Sequence, residues 1–303
     1  MKNKRTIVAA LIMIVSGAIL LGIGLAAGGK TSLVWKEGRP QISRLISTQQ
    51  TFASDKVKNL IVNSKDADLE IIAGSSLKVE SHLLDQKPEL RLQDQTLNIE
   101  ARKSAFDFNL GLNFGKMGQE KIIVTVPEDM DFQKIIIDGT SGQKALRDLK
   151  VESLKINLRD GGLALEKVKG NQLTMNISDA AWQLRDVTLS GHLKVTSNDG
   201  ASVLKRVTAQ SMDFASNDGA TIFENLRLKE RSKIVKKDGQ LKMINSQWPG
   251  LNAEAEELYV NHVKKEFPYQ TGNQEKALTV EVTDGSFYLI NEYDIRKNGF
   301  KFY

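Results

Sequence analysis

Apolar residues recur in the second half of the chain with a period of about 19–20 residues, which is typical of stacked structural repeats. The period is marked by a column of turn residues: Ser141, Asp160, Asp179, Asp199, Asp218 and Asp238. An apolar residue stands four positions before each of them: Ile137, Ile156, Met175, Val195, Phe214 and Ile234. Another stands five positions after each: Leu146, Leu165, Leu184, Leu204, Phe223 and Met243. One such unit cannot bury its apolar face alone, so the units are expected to stack.

Each unit reads as a short alternating strand, a tight turn and a second short strand. Glycine follows most turn positions, where it can take positive φ, and an Asp carboxylate can bond a nearby backbone N–H. The pattern predicts an all-β fold with a parallel β-solenoid of about 19–20 residues per coil over residues 130–245. Six to eight coils would give a rod roughly 30 to 40 Å long. Asn198 and Asn217 should stack as an amide ladder, whereas Asp179, which Ala180 follows, needs a different turn.

The regular repeats are flanked by less regular segments. Residues 56–129 form an N-terminal β part in which alternation places Leu60, Val62, Leu69 and Ile71 on one side of a turn. Within it, residues 104–118 form a ribbon with one apolar face, expected to pack on the body, with protrusion toward lipid or a partner as the alternative.

On the C-terminal side of the repeats the period lapses and then returns. Residues 246–276 lack it and are interpreted as an insertion with room for a short helix. It returns at Asp284, with Val280 and Leu289 in register, so residues 277–303 are predicted to be a last coil and a cap.

Residues 6–29 contain no charged residue and are long enough to cross a bilayer as one α-helix. They predict an uncleaved signal anchor, because the apolar segment exceeds a signal-peptide core; cleavage after Leu25-Ala26-Ala27 is the alternative. Residues 1–5 carry Lys2, Lys4 and Arg5, which predicts a cytoplasmic N-terminus. The remainder would then lie outside the cell, with residues 30–55 as a juxtamembrane linker. Gly24 and Gly28 form a GxxxG pair, which would let two anchor helices approach closely in a homodimer.

The net charge of +5 and pI near 9.1 arise mostly beside this anchor. Without Lys2, Lys4, Arg5 and Lys30, 38 basic residues face 37 acidic ones (42 − 4 against 37), which gives no case for nucleic acid. There is no cysteine, hence no disulfide or thiolate metal site. Three histidines, at scattered positions, lack zinc-ligand spacing, and no cofactor motif is present.

The Asp column permits one catalytic alternative. Carboxylates about 5 to 9 Å apart can hydrolyse glycosidic bonds, and stacked coils place neighbouring Asp residues near the lower limit. Because Asp before Gly is also what a tight turn needs, we interpret the column as turn-forming. A carbohydrate-active β-helix enzyme, a lyase or hydrolase using these residues, remains the alternative function.

Two surface features are candidates for contacts with a partner. The first is a run of basic residues, which could meet anionic wall polymer or lipid headgroups: Lys229, Arg231, Lys233, Lys236, Lys237 and Lys242. The second is the pair Val203 and Ile222, which should point outward if Leu204 and Phe223 point inward. A solvated face is the ordinary explanation of a charge run.

With an Asp-Gly turn in most repeats, a leading anchor, and KIIVTVPEDMDFQKIII before the repeats, the chain resembles the bacterial putative-adhesin family of β-strand repeat proteins, which are LiaG-like. The likeness covers about residues 56–290 and concerns the fold. The resemblance implies a Gram-positive cell-envelope protein, often associated with envelope-stress regulation, without accepted catalytic residues. The expected function is a non-catalytic, single-pass membrane protein that binds or scaffolds at the cell envelope, with wall polymer or another envelope protein as partner.

Overall fold

The computed structural model describes residues 13–17, 19–20, 22–23, 33–36, 39–42, 45–101 and 120–291. Most of the predicted anchor, including Gly24 and Gly28, lies outside these residues, as do the ribbon 104–118 and the tail from residue 292. The described residues of the anchor segment are helical. Among all described residues, none belongs to a helix with the length and apolar character needed to cross a membrane.

The described chain is otherwise built almost entirely of β-strands. The strands before the regular repeats are β1 (Leu33–Lys36), β2 (Arg39–Ile42), β3 (Leu45–Phe52), β4 (Asn59–Lys65), β5 (Asp68–Gly74), β6 (Leu77–Leu84), β7 (Glu89–Gln93), β8 (Thr96–Glu100) and β9 (Lys121–Pro127). The repeats contain β10 (Asp131–Gly139), β11 (Gln143–Leu158), β12 (Gly161–Ile177), β13 (Ala180–Leu189), β14 (His192–Ser197), β15 (Ser202–Ala209), β16 (Ser211–Ser216), β17 (Thr221–Glu224), β18 (Arg227–Leu228) and β19 (Ser232–Ile244). The last are β20 (Gly250–Val260), β21 (Val263–Lys265), β22 (Tyr269–Gly272) and β23 (Ala277–Ile290), and two 3-10 helices span Ser54–Lys56 and Gln274–Lys276.

The predicted parallel solenoid is confirmed by the strand register. Each coil has a first side before the Asp-Gly turn, a second side after it, and a short third side that leads to the next coil. Ile156 pairs with Met175, and Leu146 with Leu165, so the sequence period is the spacing between hydrogen-bonded neighbours. Ten strands stack on the first side in the described part of the chain, which makes a rod about 43 Å long.

The interior is a column of apolar side chains contributed by every coil. The residues four before and five after the turn positions are buried, with Leu184, Leu204 and Phe223 fully enclosed. The N-terminal part joins the same core, because Leu60 pairs with Ile135 and lies beside it. A rod of stacked coils therefore has one continuous core, which no single coil could form.

The Asp-Gly corner has the backbone that its sequence predicts. Gly161 and Gly200 have φ of 102° and 105°, in the left-handed region that suits glycine. In the coil where Ala180 replaces glycine, Asp179 takes the positive φ instead, at 50°. The predicted amide ladder is also present, since Asn217 Nδ2 donates to Asn198 Oδ1 at 2.6 Å.

A second corner, which the repeat analysis missed, follows the first in each coil. The chain bends there through a non-glycine residue with positive φ: Asp148, Lys167, Asp186, Arg206, Asn225 and Asn245. The side chains of the first four alternate in charge along the rod, and adjacent members of this set form ion pairs. Lys167 Nζ lies 3.5 Å from Asp148 Oδ1, and Arg206 binds both carboxylate oxygens of Asp186 at 2.5 and 2.7 Å.

Both ends of the rod depart from sequence order. At the N-terminal end β4 lies between β8 and β10, and at the C-terminal end β23 lies between β19 and β20. The segment 246–276, expected as an insertion, thus supplies β20 as the outermost parallel strand. Antiparallel β21 and β22 then cover β20, and β7 covers β8, which leaves fewer free strand edges.

Candidate functional site

The first side of the rod carries an open groove near its C-terminal end, which we call the C-terminal groove. Its volume is about 500 Å³, and polar residues from neighbouring coils line it: His192, Ser211, Asp213, Arg231, Ser232, Lys233, Asn252, Gln274 and Thr279. They meet because outward positions of successive strands align; Asp213 pairs with Lys233, and Thr279 with Asn252. The groove therefore crosses several coils rather than belonging to one turn.

The charges of the C-terminal groove are partly compensated. Lys233 Nζ lies 2.9 Å from Glu281 Oε1, and His192 Nε2 lies 3.4 Å from Asp213 Oδ2. The other ring nitrogen of His192 shares a hydrogen bond of 2.9 Å with Ser211 Oγ. Arg231 is exposed and has no ion-pair partner among the described residues. Its guanidinium is thus available to bind a carboxylate or phosphate in two-point fashion.

A second groove, the N-terminal groove, lies on the same side toward the other end of the rod. It encloses about 690 Å³ and is floored by a ladder of polar side chains. Asn176 Nδ2 donates to Asn157 Oδ1 at 2.8 Å, and Asn157 Nδ2 donates to Asp138 Oδ1 at 2.6 Å. Each amide keeps a second N–H, so the ladder offers hydrogen-bond donors at the spacing of the coils.

The basic run expected to form one contact surface is instead divided among three places. Arg231 and Lys233 line the C-terminal groove, Lys229 and Lys237 are exposed nearby, and Lys242 lies on the second side. The expectation for Lys236 was wrong, because its side chain is fully buried. Strand alternation explains the division: residues 232, 234 and 236 point inward, whereas 233 points outward.

Lys236 is one of two buried lysines in the part of the chain that the structure describes, and both lie close to a turn of the first corner: Lys144 follows Ser141-Gly142, and Lys236 precedes Asp238-Gly239. Its ammonium has no hydrogen-bond partner among the described residues, and burial lowers its pKa, partly opposed by Asp218 and Asp238. Lys144, by contrast, donates to the carbonyl oxygens of Ala67 and Ser141 at 2.7 and 2.5 Å. Burial lowers the pKa of Lys144 to about 8, although nearby carboxylates oppose the change.

Two carboxylates at this corner accept hydrogen bonds from backbone N–H groups. Asp218 accepts a hydrogen bond from the N–H of Gly219, and Asp68 Oδ1 accepts one from the N–H of Gln143 at 2.7 Å. Burial, and then the neighbouring Asp179 and Asp218, raise the pKa of Asp199 above its ordinary value. Among the described residues, no group of three or more His, Asp or Glu side chains is arranged to hold a metal ion.

Val203 and Ile222 point outward as expected, because Leu204 and Phe223 are buried. They belong to a column on the second side that continues through Lys242 to a stacked pair of tyrosines. The rings of Tyr259 and Tyr288 lie 4.9 Å apart and are nearly parallel, at 7°. The repeat pattern could have predicted the outward position of Tyr288, which is four residues after Asp284. It could not have predicted Tyr259, because that residue lies in the segment interpreted as an insertion.

The groove residues His192, Asp213, Asn252 and Gln274 were not identified from the sequence. They are spread widely along the chain and belong to different coils. Extending the repeat alignment to the outward positions would have placed His192 beside Ser211 and Lys194 beside Asp213 on the same face. No such alignment could have placed Asn252, because β20 lies beyond β23 in the stack.

The fold and its grooves define a β-solenoid repeat protein with polar, open surface clefts. The family model described as toastrack DUF4097 matches residues 57–289, and the chain belongs to this family. No curated protein matches the chain significantly.

Solved structures of bacterial proteins match the chain at low sequence identity. One is a "putative adhesin" from Bacteroides fragilis, at 12% identity, 82% of this chain, 97% of that chain and TM-score 0.46. Another is a "putative adhesin" from Parabacteroides merdae, at 14% identity, 82% of this chain, 96% of that chain and TM-score 0.45. A third is a "putative cell adhesion protein" from Clostridium sporogenes, at 11% identity, 82% of this chain, 100% of that chain and TM-score 0.32.

Proposed function

We propose that the chain is a non-catalytic, membrane-anchored binding module of the cell envelope, whose C-terminal groove takes an anionic wall polymer. The observation that carries the proposal is the exposed guanidinium of Arg231, without an ion-pair partner among the described residues, in a groove lined by amides and hydroxyls. Amides and hydroxyls bind sugar or polyol hydroxyls, and Arg binds phosphate or carboxylate groups. A groove that crosses several coils suits an extended chain better than a compact ligand.

The anchor is supported by the described residues of the N-terminal segment. They are helical, and their apolar side chains are exposed rather than packed on the solenoid, as at Met13, Ile14 and Leu20. A bilayer would remove this surface from water. With Lys2, Lys4 and Arg5 before the segment, the N-terminus is cytoplasmic and the solenoid extracellular.

Binding is tested with the full chain in detergent micelles against poly(glycerol phosphate), a neutral glucan, and phosphatidylglycerol vesicles. The polymer should bind, and Arg231→Gln with Lys233→Gln should weaken binding at least tenfold. The matched control, Lys155→Gln with Lys169→Gln, removes the same charge from exposed positions outside the groove and should change binding less than twofold. Equal losses in the two variants, equal binding of the glucan, or binding of the vesicles alone would overturn the proposal.

Topology and the absence of catalysis need separate measurements. Because the chain has no cysteine, Lys194→Cys creates one exposed thiol on the solenoid, which a membrane-impermeant maleimide should label in intact cells. Labelling that requires broken cells would refute the orientation. Incubating the protein with isolated wall glycan should release no reducing ends or unsaturated sugars; their release would establish the enzyme alternative.

A further inference from the structure

The N-terminal groove continues along the rod toward its C-terminal end. A second hollow of about 180 Å³ shares Asn176 and Ser178 with it and extends to Asn217. We call the two hollows together the axial groove; it runs from Asn63 to Asn217 and crosses six strands of the first side. Six strands cover about 24 Å along the rod, so the axial groove suits a chain that lies parallel to the rod axis.

Two columns of mainly polar side chains line the axial groove. The first column occupies the outward position just before the first corner in each coil: Asn63, Asp138, Asn157, Asn176, Thr196 and Ala215. The second column lies two residues later, at the corner itself: Lys65, Thr140, Arg159, Ser178, Asn198 and Asn217. Inward residues such as Leu158 and Ile177 are buried between the columns. A ligand in the groove would therefore contact two rows of side chains that repeat at the spacing of the coils.

The amides of the axial groove are joined into ladders that leave hydrogen-bonding capacity for a ligand. Asn157 Nδ2 donates to Asp138 Oδ1, and Asn157 Oδ1 accepts from Asn176 Nδ2. A primary amide has two N–H donors and an oxygen with two lone pairs, so these contacts leave Asn157 one donor and one lone pair. Asn198 Oδ1, which accepts from Asn217, likewise keeps a second lone pair. A donor and an acceptor on one side chain match the C=O and N–H of another amide.

The charges around the axial groove favour a neutral ligand. Among the lining residues, the two bases Lys65 and Arg159 are balanced by two acids, Asp66 and Asp138. Four residues of the second column are each followed directly by an acidic residue of the first corner: Asp160, Asp179, Asp199 and Asp218. This acidic edge would repel a polyanion along the length of the groove. The exposed guanidinium of Arg159 can instead donate to hydroxyl or carbonyl oxygens.

We propose that the axial groove binds a chain of N-acetylated amino sugars that lies along the rod. Acetamido groups supply the C=O and N–H that the amide ladders can pair, and sugar hydroxyls pair with Thr140, Ser178 and Thr196. One sugar unit is close in length to the coil spacing of about 4.8 Å, so successive sugars meet equivalent coils. An extended peptide also carries amides, but those on one side recur only about every 6.8 Å and fall out of register with the coils.

Titration calorimetry of the full chain in detergent micelles tests the proposal with β-1,4-linked pentamers of N-acetylglucosamine, glucosamine and glucose, and with an uncharged Ser-Gly peptide. The N-acetylglucosamine pentamer should bind at least tenfold more tightly than the other three probes. Asn157→Ala with Asn176→Ala should weaken its binding at least tenfold. The matched control, Gln172→Ala with Gln183→Ala, removes two exposed amides outside the groove and should change binding less than twofold. Equal losses in the two double variants, or equally tight binding of any other probe, would overturn the proposal.

A second pair of variants tests the position and the charge of the ligand without removing a ladder amide. Thr196 is exposed and lies beside Asn176 in the first column. Thr196→Glu and Thr196→Arg each place a long side chain in the groove, so both should weaken the N-acetylglucosamine pentamer at least fivefold, with unchanged thermal unfolding. Opposite effects would show a charged ligand, and no effect of either would refute the position.

The two grooves can fail independently, because no described residue lines both the axial groove and the C-terminal groove. Asn157→Ala with Asn176→Ala should therefore keep the affinity for poly(glycerol phosphate) within twofold while it loses the N-acetylglucosamine pentamer. Parallel loss of both ligands would show that the substitutions act through the fold and would contradict a separate site.

Discussion

Gly139 and Lys144 occupy one space inside the corner formed by Ser141 and Gly142. A Cβ atom at Gly139 would lie 2.6 Å from Lys144 Cε, so the missing side chain of one residue accommodates the other. The ammonium of Lys144 in turn donates to two backbone carbonyl oxygens of the turns. The first coil of the regular repeats thus places a hydrogen-bonded cation where the next two coils place Leu163 and Trp182.

Gly139→Ala should lower the free energy of unfolding by about 1–3 kcal/mol, because the added methyl group overpacks this space. Lys144→Ala should relieve the clash, so the double variant should be more stable than the sum of the single effects by about 1 kcal/mol or more. Urea unfolding of the four proteins measures the coupling. In the control pair, Gly170→Ala meets the backbone oxygen of Val151, and its effect should simply add to that of Lys144→Ala.

Stability should rise with pH through the titration of Lys144. Its pKa is about 8 in the folded protein, below the ordinary value of 10.5, so between these pH values the unfolded chain binds more protons. The free energy of unfolding should therefore increase from pH 8 to pH 10.5, by about 2–3 kcal/mol, and be lowest below pH 8, where the buried ammonium is charged. Lys144→Met removes the titrating group, and the difference between the two pH profiles isolates its effect. Parallel profiles would contradict the lowered pKa.

Lys236→Met should stabilise the protein by about 1–3 kcal/mol, since it removes a buried ammonium that has no hydrogen-bond partner among the described residues. The side chains are similar in length, so the apolar contacts are kept. Lys233→Met, on the outward face of the same strand, breaks an exposed ion pair and should change stability by less than about 0.5 kcal/mol. Destabilisation by Lys236→Met would mean that this ammonium is partnered in solution, for example by ordered water.

Gly200→Ala should cost more than about 2 kcal/mol, because φ is 105° and the new Cβ would overlap the carbonyl oxygen of Ala180. Ala180→Gly is the informative counterpart, because its coil already bends through Asp179. That variant should cost no more than about 1 kcal/mol, by added freedom of the unfolded chain. Thermal unfolding of both variants checks the contrast; similar losses would show that the two corners are equivalent.

The solenoid could be predicted from the sequence because its core residues repeat in register. Ile137, Leu146 and their counterparts are buried for the same reason in every coil, and even Val280 and Leu289 pair as their spacing indicated. The Asp-Gly corner could also be predicted, because a backbone with positive φ favours glycine. The sequence therefore predicts best those structural features that one residue type determines locally.

No comparable sequence pattern predicts the second corner or the order of strands at the ends of the rod. Lys167 and Arg206 adopt positive φ there, although neither residue type favours it, because the neighbouring coils fix the bend. The order of β19, β23 and β20 depends on pairing between distant segments, which periodicity cannot report. The C-terminal groove includes His192 and excludes Lys236 for a related reason. Inward and outward side chains alternate along each strand, and the corner before the strand decides which residues point outward.

The position of β23 also sets when the protein can finish folding. During synthesis or export from the N-terminus, β19 and β20 emerge before β23. Until β23 follows, the edge of each strand that will pair with β23 has no partner. The 14 residues of β23 must then enter between them and form two ladders at once. Because such long-range pairing is slow, the C-terminal end of the rod should be the last part to acquire protection from hydrogen exchange.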